Sequence, residues 1–197
     1  MIAYLNGRLA YKDPTYVIID IQGVGYEIKI SLNTFSKIKD KESCKLHTYL
    51  HIKEDGHTLF GFAERSEKSL FLLLISISGV GPSTGLMILS SLSPSEVENA
   101  ILNEDVRTIQ GVKGIGAKTA QRIILELKDK IGKDQDADAS IIISSSPQNT
   151  IRNEALSALI TLGINKAVAQ KSIDKILKSL DRQLSLEELI KLALKSA

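Results

Sequence analysis

Two short glycine turns, Ser78-Gly79-Val80-Gly81-Pro82-Ser83-Thr84 and Lys113-Gly114-Ile115-Gly116-Ala117-Lys118-Thr119, hold the residues of this chain best suited to chemistry. The match runs on past the turns: Gly85 corresponds to Ala120, Ile88 to Ile123 and Leu92 to Leu127. Glycine at both ends of a tight turn permits positive φ and admits another backbone at close range. Each turn leads straight into an apolar-periodic helix, whose first N–H groups have no acceptor within the helix. A helix start of this kind receives anions, and a phosphodiester fits it without any base being read. Two copies predict two grips on a nucleic-acid backbone, sensitive to shape rather than to sequence.

Other glycine chemistries fit less well. A dinucleotide fingerprint requires G-x-G-x-x-G after a strand, but here the third small residue, Gly85 or Ala120, falls one place late. The run before Gly79, Leu70 to Ile77, suits a buried helix at least as well as a strand. Gly111 and Gly116 have the spacing of an ATPase phosphate loop, yet Ala117 stands where that loop needs lysine, and Lys118-Thr119 comes one residue late. Val17-Ile18-Ile19-Asp20 imitates a magnesium-binding strand far upstream, with no loop to serve. The plain structural alternative is a pair of ordinary helix-turn-helix connections.

Catalytic groupings are not apparent. Cys44 is the only cysteine, which excludes an internal disulfide and a cysteine zinc cluster. His47 and His51 can share a strand face, but neither they nor His57 have an evident third ligand, so no metal site is expected. Glu54 and Asp55 are adjacent acids before Gly56; read alone, they make an Asp-Gly hairpin turn and a poor metal cage. No Ser/His/Asp or Cys/His arrangement stands out, and no cofactor is implied.

The elements that must position these residues follow from composition and pattern. The chain has 197 residues, 43% hydrophobic and 24% charged, ordinary values for a globular protein. A net charge of +2 does not announce a nucleic-acid binder, so binding must rest on local placement and backbone amides. No apolar run approaches the roughly 20 residues that cross a bilayer. The N-terminus lacks the layout of a secretion signal, which predicts a cytoplasmic protein.

Short β-type runs at Leu5–Tyr11, Tyr16–Ile21, Tyr26–Ser31, Leu46–Lys53 and Thr58–Phe62 predict a small barrel of the oligonucleotide-binding (OB) kind over 1–63. Few aromatics are available there to stack on bases. The texture then turns helical over 64–132. Ser93-Pro94-Ser95-Glu96 reads as a capping box, with Asn103 capping a following short helix and Gly111 ending it. The order is a doubled helix-hairpin-helix unit. Residues 133–149 are polar and turn-rich around Ile141-Ile142-Ile143 and read as a flexible linker. From 150 to 197, helices from about Ile151, Lys166 and the capping box Ser185-Leu186-Glu187-Glu188 predict a three-helix module with a modest core, suited to docking. The fold class is therefore α+β and multidomain.

Taken in order, Gly23-Val24-Gly25-Tyr26-Glu27, Lys53-Glu54-Asp55, Leu59-Phe60-Gly61-Phe62, Leu70-Phe71, both glycine hairpins, Ala158-Leu159 and Leu162-Gly163 closely resemble the RuvA family of Holliday-junction proteins along the whole chain. The resemblance implies a non-catalytic subunit that holds a four-way DNA junction open and square for branch migration in recombination and repair. It places phosphate contacts on Gly79, Val80, Gly81, Ser83, Gly114, Ile115, Gly116, Lys118, Thr119 and Arg122. It makes Glu54 and Asp55 an acidic pin at the junction centre, where carboxylates repel phosphates. It makes the terminal, UBA-like module a dock for the hexameric ATPase RuvB, through the surface around Leu162, Ile164, Leu189 and Leu192. It also implies a homotetramer, and leaves open both an octamer on DNA and docking of the RuvC resolvase. Two hairpin lysines common in the family are Ser83 and Ala117 here, and a commonly aromatic position is Ile164. Fewer hairpin cations imply weaker binding with a flatter salt dependence.

Overall fold

Val17 and Ile19 alternate with Tyr16, Ile18 and Asp20, and the alternation turns the first pair fully inward. The same period-two logic builds five strands: β1 (Tyr4–Lys12), β2 (Tyr16–Ile21), β3 (Val24–Ile30), β4 (Ser43–Lys53) and β5 (Gly56–Phe62). The computed structural model describes residues 1–128, 147–179 and 184–196. The strands close into a barrel in the order β1-β2-β3-β5-β4, antiparallel throughout except for the parallel β3–β5 pair. Leu5, Leu9, Val17, Ile19, Ile28 and Leu46 fill it. The β2–β3 turn has positive φ at both Gln22 and Gly23, the backbone that twists a two-residue hairpin correctly.

One element was not expected. Helix α1 (Leu32–Ile38) bridges β3 and β4, capped by Ser31 Oγ, which accepts from Thr34 N at 2.9 Å. It has too few residues for helical periodicity to show in the sequence. Its place is fixed by tertiary bonds instead, among them Asn33 Nδ2 donating to Leu92 O at 2.9 Å.

The helical part comprises α2 (Arg65–Ile75), α3 (Pro82–Ser91), α4 (Pro94–Leu102), α5 (Val106–Gln110) and α6 (117–128). The Ser93–Glu96 capping box at the start of α4 is formed as expected. The short α5 is capped by Asp105, not Asn103: Asp105 Oδ1 accepts from Arg107 N at 3.1 Å and Thr108 N at 3.2 Å. Asn103 instead ends α4, and Glu104, at φ 56°, turns the chain between the two helices.

The change from strand to helix near residue 63 is not a break in the core. Phe60 and Phe62 of β5 join Phe71, Leu74, Ile88 and Ile123 in one buried cluster, and residues 1–128 lie in one compact unit. Polar bonds reinforce the seam. Glu67 of α2 is fully buried, and its carboxylate accepts from Ser31 Oγ and, at 2.7 Å, from Thr34 Oγ1. Thr34 Oγ1 in turn accepts from Ala63 N at 3.0 Å. A buried carboxylate is tolerated only when its oxygens are so occupied.

The second compact unit contains α7 (Pro147–Thr161), α8 (Lys166–Ser179) and α9 (Leu186–Ser196). Ala155, Leu159, Ile173, Leu184, Leu189 and Ala193 form its core. Gly163, at φ 92°, closes α7 with Ile164 N donating to Leu159 O at 3.0 Å, the bond pattern of a left-handed helix cap. Ser185 and Glu188 form the reciprocal bonds expected at the start of α9. Helix α7 begins at Pro147 rather than at Ile151, as proline at a first helical position allows. Positions 133–146 of the expected linker, with Ile141 to Ile143, lie outside the described residues.

Candidate nucleic-acid interface

The two glycine turns have one geometry. Gly79 has φ 93° and Gly114 has φ 87°, the left-handed region in which a side chain is strained. Val80 N donates to Ile77 O at 3.0 Å, and Ile115 N donates to Val112 O at 3.1 Å. Gly85 N then closes the first turn of α3 on Gly81 O at 2.9 Å, as Ala120 N does for α6 on Gly116 O at 3.0 Å. Each of these bonds in one hairpin has its counterpart in the other. The spacing of the sequence repeat is thus a repeat of backbone conformation.

Val80 and Ile115 are buried side chains whose amides are already used inside the turn. That corrects the expectation that their amides face a ligand: they are the pegs that hold each turn in the core. The open donors sit beside them. Helix α3 has no side-chain cap at Gly81, and the amides of Gly81, Ser83 and Thr84 have no acceptor among the described residues. Among the described residues the same holds for Gly116, Ala117, Lys118 and Thr119 at the start of α6, where Ala117 contributes an amide that Pro82 cannot.

Gly81 and Gly116 differ in kind from Gly79 and Gly114. Neither has positive φ, and a Cβ added at either would meet nothing within 4 Å. No steric contact among the described residues requires glycine there, although glycine is a favourable N-cap residue. Bare backbone at these positions leaves room for a close approach from outside.

A cleft of about 670 Å³ lies between Ser78 and Gly79 of the first turn and the Lys118, Arg122 and Glu126 face of α6. The hairpins therefore flank one concave surface. Arg122 Nη1 reaches Ser78 O at 3.5 Å, and Arg122 Nε donates to Glu126 Oε1 at 2.7 Å. Ser83 lies apart from this cleft, in a groove of about 400 Å³ between α3 and the barrel with Tyr16, Glu27, Lys29 and Met87.

Glu54 and Asp55 form the two-residue tip of the β4–β5 hairpin, between the paired Lys53 and Gly56, and both are exposed. Neither has positive φ, nor does Gly56, so this is not the tight Asn-Gly type of turn. The tip presents two carboxylates to solvent on a ribbon that extends from the barrel. Among the described residues, no group of three or more His, Cys, Asp or Glu could hold a metal ion. His57 is exposed, while His47 and His51 are half-buried on one strand face. Burial holds the His47 pKa below its ordinary value, helped by the charges of Arg65, Lys45 and Lys68. No helix among the described residues is long and apolar enough to cross a membrane.

In the C-terminal unit, Leu162 is 61% exposed just before the Gly163 cap, and Ile164 and Leu192 are half-buried. Leu189 is fully buried and belongs to the core, so it is removed from the expected docking surface. A heptad-like leucine on a short helix gives no sequence signal of which way it faces. Ile160, Val168 and Leu194 are exposed apolar residues that the sequence reading passed over, for the same reason.

Comparison with known proteins agrees with this architecture segment by segment. The RuvA N terminal domain matches residues 1–61, the SAM-like helix-hairpin-helix tandem matches 71–129, and the RuvA C-terminal domain matches 150–197. The chain is 58% identical to the Holliday junction branch migration complex subunit RuvA of Cytophaga hutchinsonii, covering 99% of both chains. It is 56% identical to the subunit of the same name from Christiangramia forsetii, again covering 99% of both. To that of Amoebophilus asiaticus it is 49% identical, over 99% of this chain and all of the relative. With its barrel, its paired hairpins and its terminal three-helix unit all matched in order, the chain belongs to the RuvA family.

Proposed function

We propose that this protein is the DNA-binding, non-catalytic subunit of a branch-migration machine, holding a four-way junction open in the cytoplasm while a RuvB-type ATPase supplies the motion. The observation that carries this reading is the matched pair of hairpins. Two turns with matching positive φ and matching internal bonds, each leading into a helix start with open amides, flank one cleft. Amides at a helix start hold phosphate regardless of base, as a protein must that reads junction shape. The names of the full-length relatives point the same way.

Gly79, Gly81, Gly114 and Gly116 let the backbone approach, and the amides of Gly81, Ser83, Gly116, Lys118 and Thr119 donate to phosphate oxygens. Lys118 and Arg122 add positive charge, and the Ser83 hydroxyl gives a neutral hydrogen bond. Glu54 and Asp55 keep strands apart at the crossover by repelling phosphate. Four copies arranged around a junction would bring four such tips together. The exposed Leu162, with Ile164 and Leu192 beside it, is the apolar dock for the ATPase.

The test is a gel-shift competition between a synthetic four-way junction and linear duplex of identical arm sequence, at near-physiological salt, with and without magnesium. Strong junction preference without cleavage is expected. Equal affinity for both would make the protein a general duplex binder. Magnesium-dependent cleavage, abolished by changing Glu54 or Asp55, would make it a nuclease.

A further inference from the structure

Arg122 faces the cleft between the hairpins without being a free cation. Lys118, Arg122 and Glu126 follow one another at intervals of one helical turn and share a face of α6. Lys118 has no ion-pair partner among the described residues, whereas Arg122 Nε donates to Glu126 Oε1 at 2.7 Å. Its Nη1 is drawn toward Ser78 O of the other hairpin at 3.5 Å. The guanidinium is therefore held between a carboxylate and a hairpin carbonyl, with the remaining N–H groups of Nη1 and Nη2 directed to neither.

We propose that Glu126 limits the strength of the DNA grip: it orients Arg122 toward phosphate while cancelling part of its charge. The inference rests on the junction-binding reading above. A phosphate taken by Arg122 must lie close to the Glu126 carboxylate, and like charges at that range repel. Orientation and repulsion pull affinity in opposite directions, and glutamine separates them. Its amide oxygen still accepts from Arg122 Nε, while the negative charge is gone. A duplex arm that must slide through the complex needs a grip that releases, and a carboxylate beside one of the two cleft cations supplies that release.

The experiment measures binding of the full chain to a four-way junction between 50 and 300 mM salt, for wild type, Glu126→Gln, Glu126→Ala, Arg122→Gln and the Arg122→Gln/Glu126→Gln double variant. Sedimentation of each is the control for assembly. Glu126→Gln is expected to tighten binding about three- to tenfold and to steepen the dependence on log salt, because a cation freed from its partner releases more counterion on binding. Glu126→Ala is expected to gain less, having lost the orientation as well. In the Arg122→Gln background the gain should largely vanish. Unchanged affinity and slope for Glu126→Gln would overturn the proposal. So would a gain that persists without Arg122, or one that follows a change in assembly. Failure of the wild type itself to prefer the junction would instead overturn the reading on which the proposal rests.

Discussion

Phe62 of β5 and Phe71 of α2 are both fully buried, with ring centroids 4.8 Å apart, and they join the barrel to the hairpin-bearing helices. Phe60 meets the same ring at 5.5 Å and Tyr49 meets it edge-on at 5.7 Å. The contact makes the position of the hairpins relative to the Glu54–Asp55 tip a property of the core, not of a hinge. Phe71→Ala opens a cavity among these rings and should cost about 3–5 kcal/mol. Amide exchange should then rise together in β5 and α3. Loss of protection in the helices alone, with the barrel untouched, would show two independent domains.

Gly116→Val should separate binding from folding. The added Cβ meets nothing within 4 Å and sits at an ordinary φ, so the thermal transition should fall only by the modest cost of a poorer N-cap residue. It would nevertheless stand over the open amides at the start of α6, and junction affinity should fall by about tenfold or more as charge-assisted bonds are lost. Gly114→Val makes the contrast: at φ 87° it strains the turn itself, so both stability and binding should drop. Equal binding by wild type and Gly116→Val would remove the α6 hairpin from the interface.

These contrasts mark what the sequence made legible. Strand alternation and the capping boxes at Ser93 and Ser185 are local signals, and the structure contains both. The hairpins were legible because the requirement for bare backbone leaves its trace as glycine, twice. Helix α1 was not, since its seven residues are held by Glu67 and α3 rather than by their own periodicity. The buried role of Glu67 was equally hidden: a glutamate in the first turn of a helix reads as a dipole partner, and only the fold brings Ser31 and Thr34 to its oxygens. For Val80 and Ile115, residue type already suggested burial, but the commitment of their amides required the turn geometry.

Acid should weaken the second hairpin through Asp105. The Thr108 hydroxyl, and then the Thr108 amide, hold its carboxyl below the ordinary range. A lowered pKa in the fold means that the stabilisation is fully present above about pH 3.9, the unfolded value, and is lost as pH falls through the folded one. Asp105→Asn keeps an acceptor for the cap without that titration. Wild type should melt higher than Asp105→Asn at pH 6, and the difference should shrink as pH falls below about 3.9. A constant difference across that range would mean that the Asp105 charge does not stabilise the cap.

Leu162 and Leu189 should respond oppositely to charge. Leu162 is 61% exposed, next to the Gly163 cap that fixes the end of α7, so Leu162→Glu places a carboxylate in water and leaves the unit folded. Leu189 has no exposure and packs with Leu159 and Ile173, so Leu189→Glu buries an unpaired charge and should unfold the C-terminal unit. Junction binding by the barrel and hairpin helices should survive both changes, because their core shares no residue with the C-terminal one. Stimulation of the partner ATPase on junction DNA should be lost in both, with the Leu162→Glu helices intact by circular dichroism and the Leu189→Glu helices diminished. A Leu162→Glu protein that still drives the ATPase would move the docking surface away from the α7–α8 corner. The exposed apolar side chain of Leu194 on α9 would then be the next to charge.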